Sequence, residues 1–160
     1  MSLAHRNILL QTLEKDITED YIHLIIDKLD IGTRKVKVVY DCGNGTASVI
    51  ADKVFERLNN VESIPLFNIS DGTFPNHHPD PCVYENLTKL KEKVLETSAD
   101  LGIGYDGDAD RVGFVDNLGN MIETDKFLLI MWRYLADKVD NKACLFDVKC
   151  SKTLEDELNF

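Results

Sequence analysis

The chain has 160 residues, 44% of them hydrophobic and 29% charged, a composition that suits a folded globular protein with enough apolar material for a core. Eighteen Lys and Arg against 28 Asp and Glu leave a formal charge of −10, and no stretch gathers the basic residues into a stripe able to follow a phosphate backbone, which argues against a nucleic-acid partner. The longest apolar run, Phe127 to Trp132, falls far short of the roughly 20 residues that cross a bilayer, and no signal-peptide core is present, so a cytoplasmic protein without a membrane partner is expected.

In chain order, Tyr21, Leu24, Ile25 and Leu29 share one helical face, predicting a helix over residues 19 to 30 that starts near Asp16 or Thr18 and stops at Gly32. "KVKVVYD" (35 to 41) is rich in β-branched residues and predicts a strand, closed by the turn "CGNG". The periodicity of Val49, Ile50, Val54 and Leu58 then predicts a helix through "TASVIADKVFERLN". "VESIPLF" (61 to 67) reads as a second strand, and the loop "SDGTFPNHHPDP" (70 to 81) has too many prolines for any regular element.

A helix is expected over residues 85 to 96 through Leu87, Leu90 and Val94, followed by a third strand, "ADLGIGYD" (99 to 106). A hairpin with arms Val112 to Val115 and Met121 to Ile122 turns near Gly119. After it come a helix from Thr124 through Leu135, a strand "ACLFDV" (143 to 148) and a helix starting at Ser151. Alternating strands and helices predict an α/β fold, three-layered α/β/α with a mixed, mostly parallel sheet. The last strand and helix open a fresh βα unit that reads as truncated, with no further strand before Phe160. The four cysteines form no CxxC pair and read as reduced, structural thiols.

"GYDGDADRVGFVD" carries the chemistry. Side chains two apart on an extended chain lie about 6.6 Å apart on one face. Asp106, Asp108 and Asp110 therefore point one way, and they can meet on one small ion only if the chain curls, which the small residues Gly107 and Ala109 permit. Two carboxylates about 4 Å apart repel by roughly 4 kcal/mol at an effective dielectric near 20, and Arg111 alone does not offset three such pairs. Either the loop is splayed into solvent or a hard divalent cation belongs among its oxygens. An EF-hand is excluded, because Arg111 and Asn117 stand where it needs Gly and Glu. A haloacid-dehalogenase pattern is weakened by Asp110 at its fifth position, and a nucleotide-sugar DxD site leaves the third aspartate and Arg111 unaccounted for.

This segment resembles the metal-binding loop of the α-D-phosphohexomutase family, and "VVYDCGNGTASVIA", "DGTFPNHHPDPCVYENL" and "FDVKCSKTL" resemble further segments of that family in the same order. The likeness is greatest to the bacterial phosphomannomutase/phosphoglucomutase branch and runs from about Lys35 to Leu154. It implies a second domain over residues 1–123, with 124–160 forming the opening helix, strand and helix of a truncated third domain. It also implies an enzyme that interconverts hexose 6-phosphate and hexose 1-phosphate, of mannose or glucose, through a phosphoserine and a bisphosphate intermediate. On this resemblance Asp106, Asp108 and Asp110 hold Mg²⁺, Arg111 is a catalytic cation near the transferring phosphate, and Lys149 faces the phosphosugar substrate. The phosphoserine and the phosphate-binding elements would come from other domains of the same polypeptide, so the chain alone is expected to be inactive. The alternative is a stand-alone module that binds a divalent cation or a phosphosugar.

Other segments have plainer readings. Arg111 could merely neutralise its acidic loop, and Lys149 could be a solvated lysine before a helix. Ser48 reads as a first-turn helix residue and "DCGNG" as a structural turn, since it lacks the third glycine of a dinucleotide fingerprint and a P-loop lysine. His77, His78 and Asp80 are expected to brace the proline-rich loop through local hydrogen bonds rather than to bind zinc.

Overall fold

The computed structural model describes residues 14–140 and 143–158. Strand β1 (Val36–Asp41) is paired in parallel with β2 (Val61–Leu66) on one side and β3 (Leu101–Tyr105) on the other. β4 (Val112–Asp116) runs antiparallel to β3, and β5 (Met121–Ile122) antiparallel to β4, giving the order β2-β1-β3-β4-β5. Four of the five strands thus point the same way, and the sheet is mixed as expected.

The alternation of β1 builds two cores. Val39 faces α3 (Thr88–Thr97) and is buried with Leu87, Leu90, Val94, Ala99 and Val115. The next residue, Tyr40, faces the opposite layer and packs with Cys42, Ala47 and Ala51, with Phe55, Ile103 and Tyr105 around them. There its ring stacks on Phe55 at 4.4 Å and its hydroxyl donates to Asp52. Burial pushes the Cys42 thiol up to about 12, so it acts as a small apolar core residue rather than as a nucleophile. On the α3 side the sheet presents glycine: a Cβ at Gly102 would stand 2.8 Å from Val94 Cγ2, and one at Gly104 2.7 Å from Leu87 Cδ2. The missing side chains let α3 settle directly on β3.

Several boundaries differ from the sequence expectation. α1 spans Thr18–Ile26 and ends four residues before the anticipated 30, although Asp16 does accept a hydrogen bond from the Thr18 amide as its entry turn requires. The helix expected from Thr46 is split into a 3₁₀ turn (Thr46–Val49) and a short α2 (Ala51–Phe55). Ser48 explains the tight first turn, because its hydroxyl donates back to the Gly45 carbonyl at 2.7 Å. A second 3₁₀ turn (Tyr84–Leu87) leads into α3. α4 (Thr124–Leu135) and α5 (Lys152–Leu158) form where anticipated. The strand expected over 143–148 does not: the segment is irregular, with Leu145 97% and Val148 96% exposed. A strand needs a neighbour to complete its hydrogen-bond ladder, and this segment is registered with no strand of the sheet.

Candidate metal centre

The loop between β3 and β4 is the candidate centre. It is pinned at both ends by pairing of Tyr105 with Val112, which forces the six residues between to fold back within a narrow span. The left-handed residue in that fold is Ala109, at φ +62°, whereas Gly107 serves by allowing close approach: its Cβ position would lie 3.4 Å from Pro79 and 3.5 Å from Phe74. A left-handed alanine is strained by roughly 1 kcal/mol, the kind of cost that persists only where the surroundings impose it.

This curl gathers the three aspartates. One carboxylate oxygen from each of Asp106, Asp108 and Asp110 lies within 4.8 Å of the others, the one such cluster among the described residues. Opposite ligands of one ion stand about 4.2 Å apart for Mg²⁺ and about 4.6–5.2 Å for Ca²⁺, twice the metal–oxygen distance, so all-oxygen donors gathered within this span suit a hard divalent cation. The three are not equivalent. Asp106 is 1% exposed, while Asp108 and Asp110 are open to solvent. Burial raises the Asp106 carboxyl, yet hydrogen bonds from the Arg111 amide and guanidinium outweigh it and hold it below the usual carboxylate range. Asp110 moves the other way: it hydrogen-bonds to Asp106 and feels the negative charges of Asp108 and Asp106, so it holds its proton more tightly. Crowding of like charges makes neighbouring acids differ in this way, the better-bonded one ionising more readily and the other less.

Arg111 lies across the cluster. Its amide donates to Asp106 Oδ1 at 3.0 Å, its Nε to Asp106 Oδ2 at 2.9 Å and its Nη1 to Asp80 Oδ1 at 3.0 Å. These partners raise its already high pKa, and its side chain remains 51% exposed.

Two neighbouring segments buttress the loop. The turn after β1 has consecutive left-handed residues, Gly43 (φ +52°) and Asn44 (φ +58°), and brings Gly45 against the metal loop. The Thr46 amide donates to the Gly107 carbonyl at 2.9 Å. A Cβ at Gly45 would stand 2.7 Å from the Gly107 oxygen and 3.1 Å from the Asp106 oxygen, both backbone atoms that cannot rotate aside. Gly45→Ala is therefore expected to destabilise the chain by about 1–3 kcal/mol, read as a lower urea midpoint at unchanged slope.

The second buttress is the proline-rich loop. The expected local bracing is present, with the Asp80 amide donating to the His78 carbonyl and the Cys82 amide to Asp80 Oδ1, and long-range bonds are added to it. His77 reaches Asp41 at the end of β1, with Nε2 at 2.9 Å from Asp41 Oδ2, while Nδ1 lies 2.9 Å from the His78 carbonyl. Both ring nitrogens thus face acceptors, which only the imidazolium satisfies by donating twice. The Asp41 hydrogen bond raises the His77 pKa above its ordinary 6.5, against partial burial that lowers it. Asp80, 31 residues away in sequence, bonds Arg111. One sequence signal pointed here: Asp41 ends a strand whose last residues are otherwise apolar, and an acid at a buried strand position needs a partner.

Lys149 is placed elsewhere. It is exposed in the turn before α5, its amide bonded to Asp147 Oδ1 at 2.8 Å, and it lines an open groove with Glu123, Asp125 and Ser151. No described contact joins it to the aspartate loop.

Residues 19–119 match the family model described as phosphoglucomutase/phosphomannomutase, alpha/beta/alpha domain II, which covers the whole sheet as far as the β4–β5 turn. The chain belongs to the phosphoglucomutase/phosphomannomutase family. It is 47% identical over 139 residues to a phosphomannomutase/phosphoglucomutase of Pseudomonas syringae pv. tomato, an alignment covering 87% of this chain and 30% of that protein. It is 38% identical over 141 residues to a phosphoglucomutase of Neisseria meningitidis serogroup A, covering 88% of this chain and 30% of that one. Among solved structures, a phosphoglucomutase/phosphomannomutase family protein from Burkholderia thailandensis superposes with a TM-score of 0.84 at 35% identity, over 90% of this chain and 31% of that chain. The chain thus spans about 30% of the length of these mutase relatives. Among the described residues no helix is long and apolar enough to cross a membrane.

Proposed function

We propose that this chain is the metal-loop part of a phosphohexomutase that interconverts hexose 6-phosphate and hexose 1-phosphate, of mannose or glucose, through a phosphoserine and a bisphosphate intermediate. The observation that carries the reading is the curl at Ala109, which brings three carboxylate oxygens within 4.8 Å in a chain of this family. Asp106, Asp108 and Asp110 would hold Mg²⁺, which when bound supplies charge neutralisation for phosphoryl transfer. Arg111 offers the second positive charge: with Nε and Nη1 taken by carboxylates, the rest of its half-exposed guanidinium is available to phosphate oxygens. Lys149, exposed and lining a groove, is suited to a sugar phosphate presented from outside the sheet. Residues 1–123 would then form the metal-loop domain and 124–160 open the next, the phosphoserine and phosphate-binding elements coming from the remaining two-thirds of such a polypeptide, in a cytoplasmic enzyme.

The test is a mutase assay with glucose 1-phosphate and mannose 1-phosphate on the chain alone and joined to the rest of a mutase polypeptide. No turnover is expected from the chain alone, and turnover is expected from the joined protein. Turnover by the chain alone would overturn the assignment of the phosphoserine to other domains, and an inactive joined protein that still binds Mg²⁺ would favour a stand-alone cation-binding module.

A further inference from the structure

We infer that Asp80 is a positioning residue for Arg111, holding the guanidinium in place when a divalent cation takes up the carboxylates beside it; this rests on the proposed metal reading. Three carboxylates lie within ion-pair distance of Arg111: Asp106 at 2.9 Å, Asp80 at 3.0 Å and Asp110 at 3.8 Å. Asp106 and Asp110 belong to the cluster that would ligate the cation. A bound divalent charge attracts those two and repels the guanidinium, weakening the contacts that hold Arg111 in the metal-free loop. Asp80 is then the one anchor outside the donor set.

Its surroundings suit that task. Asp80 sits between Pro79 and Pro81, both buried, so its backbone has little freedom. Its amide donates to the His78 carbonyl at 2.9 Å, and its own carbonyl accepts from Asn86 Nδ2 at 2.9 Å. The oxygen that meets Arg111, Oδ1, also accepts the Cys82 amide at 3.0 Å, which fixes the side-chain rotamer. That amide, burial and the Arg111 charge leave the Asp80 carboxyl net below the usual range, ionised at neutral pH. Pro79 in turn packs on Gly43 and Gly107, tying the anchor to both sides of the metal loop. Among the described residues Arg111 Nη2 makes no hydrogen bond, so a guanidinium fixed at Nε and Nη1 keeps this edge for an anion.

The experiment follows the Arg111 Nη–H resonances of the chain by NMR, without and with Mg²⁺ titrated as the chloride, in the parent, Asp80→Asn and Asp80→Glu. Asn retains an acceptor for the Cys82 amide but loses the charge. In the parent the signal of the Nη1–H bonded to Asp80 is expected to stay protected through the Mg²⁺ titration. In Asp80→Asn its solvent exchange should quicken roughly tenfold once Mg²⁺ is added, as loss of a charge-assisted hydrogen bond implies, and Asp80→Glu should recover part of the protection. Unchanged exchange in Asp80→Asn, with or without a lower melting temperature, would overturn the inference and leave Asp80 as a loop cap. The metal reading fails separately, if Asp108→Ala binds Mg²⁺ as the parent does; quicker exchange in metal-free Asp80→Asn would then still support the positioning role.

Discussion

Asp108→Ala is expected to abolish measurable Mg²⁺ binding by the chain while leaving its metal-free stability unchanged or slightly higher. The two halves of this expectation come from the same electrostatics. Asp108 is exposed, and its carboxylate lies within 4.8 Å of Asp106 and Asp110, so without a cation it contributes repulsion and no packing. Its charge is part of what pushes the Asp110 carboxyl upward. Removing it relieves that crowding, by an amount that shrinks as salt is added. With a cation the sign reverses, because one of three ligands is gone and the buried Asp106 already carries two Arg111 contacts.

A loop offering three carboxylates and no phosphate oxygen is expected to bind Mg²⁺ weakly, on the order of millimolar. Loss of even a supporting group around a metal typically weakens affinity about 10–100-fold, so loss of a direct ligand puts the variant out of calorimetric reach. Heats of Mg²⁺ titration and thermal melts without metal, run on both proteins, read the two signs independently. Identical heats would sink the metal assignment, and a large fall in metal-free stability would mean that Asp108 has a structural role its exposure does not suggest.

How much of this site was legible in the sequence depends on the range of the interaction. The aspartate curl was legible because its cause is local: alternate acids, small residues between them and a strand on either side. The element order was legible for a similar reason, since apolar periodicity at Val36 to Tyr40 and at Leu87, Leu90 and Val94 reports which face each element buries. The segment 143–148 shows where that logic stops. Its β-branched and aromatic residues describe a strand's preference, but pairing requires a partner, and Leu145 and Val148 stand in solvent instead. The buttress from Asp41, His77 and Asp80 was missed for the opposite reason. Partners 36 and 31 residues apart leave no periodic trace, so "NHHPDP" showed only its local bracing and not that it is also wedged between β1 and the metal loop.

That wedge makes Asp41 a sensitive position, and Asp41→Ala is expected to destabilise the chain by about 3 kcal/mol. Asp41 is 1% exposed and serves two donors, the Gly43 amide at 2.7 Å from Oδ1 and His77 at 2.9 Å from Oδ2. Alanine leaves both donors without their acceptor and the imidazolium without its counter-charge, where the remaining bond to the His78 carbonyl cannot hold it. The expected loss sits at the low end of the range for broken buried pairs because the His77 side chain is 13% exposed, so some water can reach it.

The pH dependence separates this from simple loss of packing. His77 has its folded pKa raised above the unfolded value near 6.5, chiefly by the Asp41 hydrogen bond. Its contribution to stability is therefore fully present below that unfolded value and is lost as the pH rises through the folded one. In Asp41→Asn the amide still accepts from Gly43 but cannot favour an imidazolium, so His77 should titrate lower and this pH-dependent part of the stability should disappear. Urea unfolding of the parent on both sides of the His77 transition, with the ring followed by NMR, reads both quantities. A His77 pKa that does not fall in Asp41→Asn, together with a parent whose stability is flat across that window, would show that the pair is not an ion pair and that the proline-rich loop is held on the metal loop by its prolines alone.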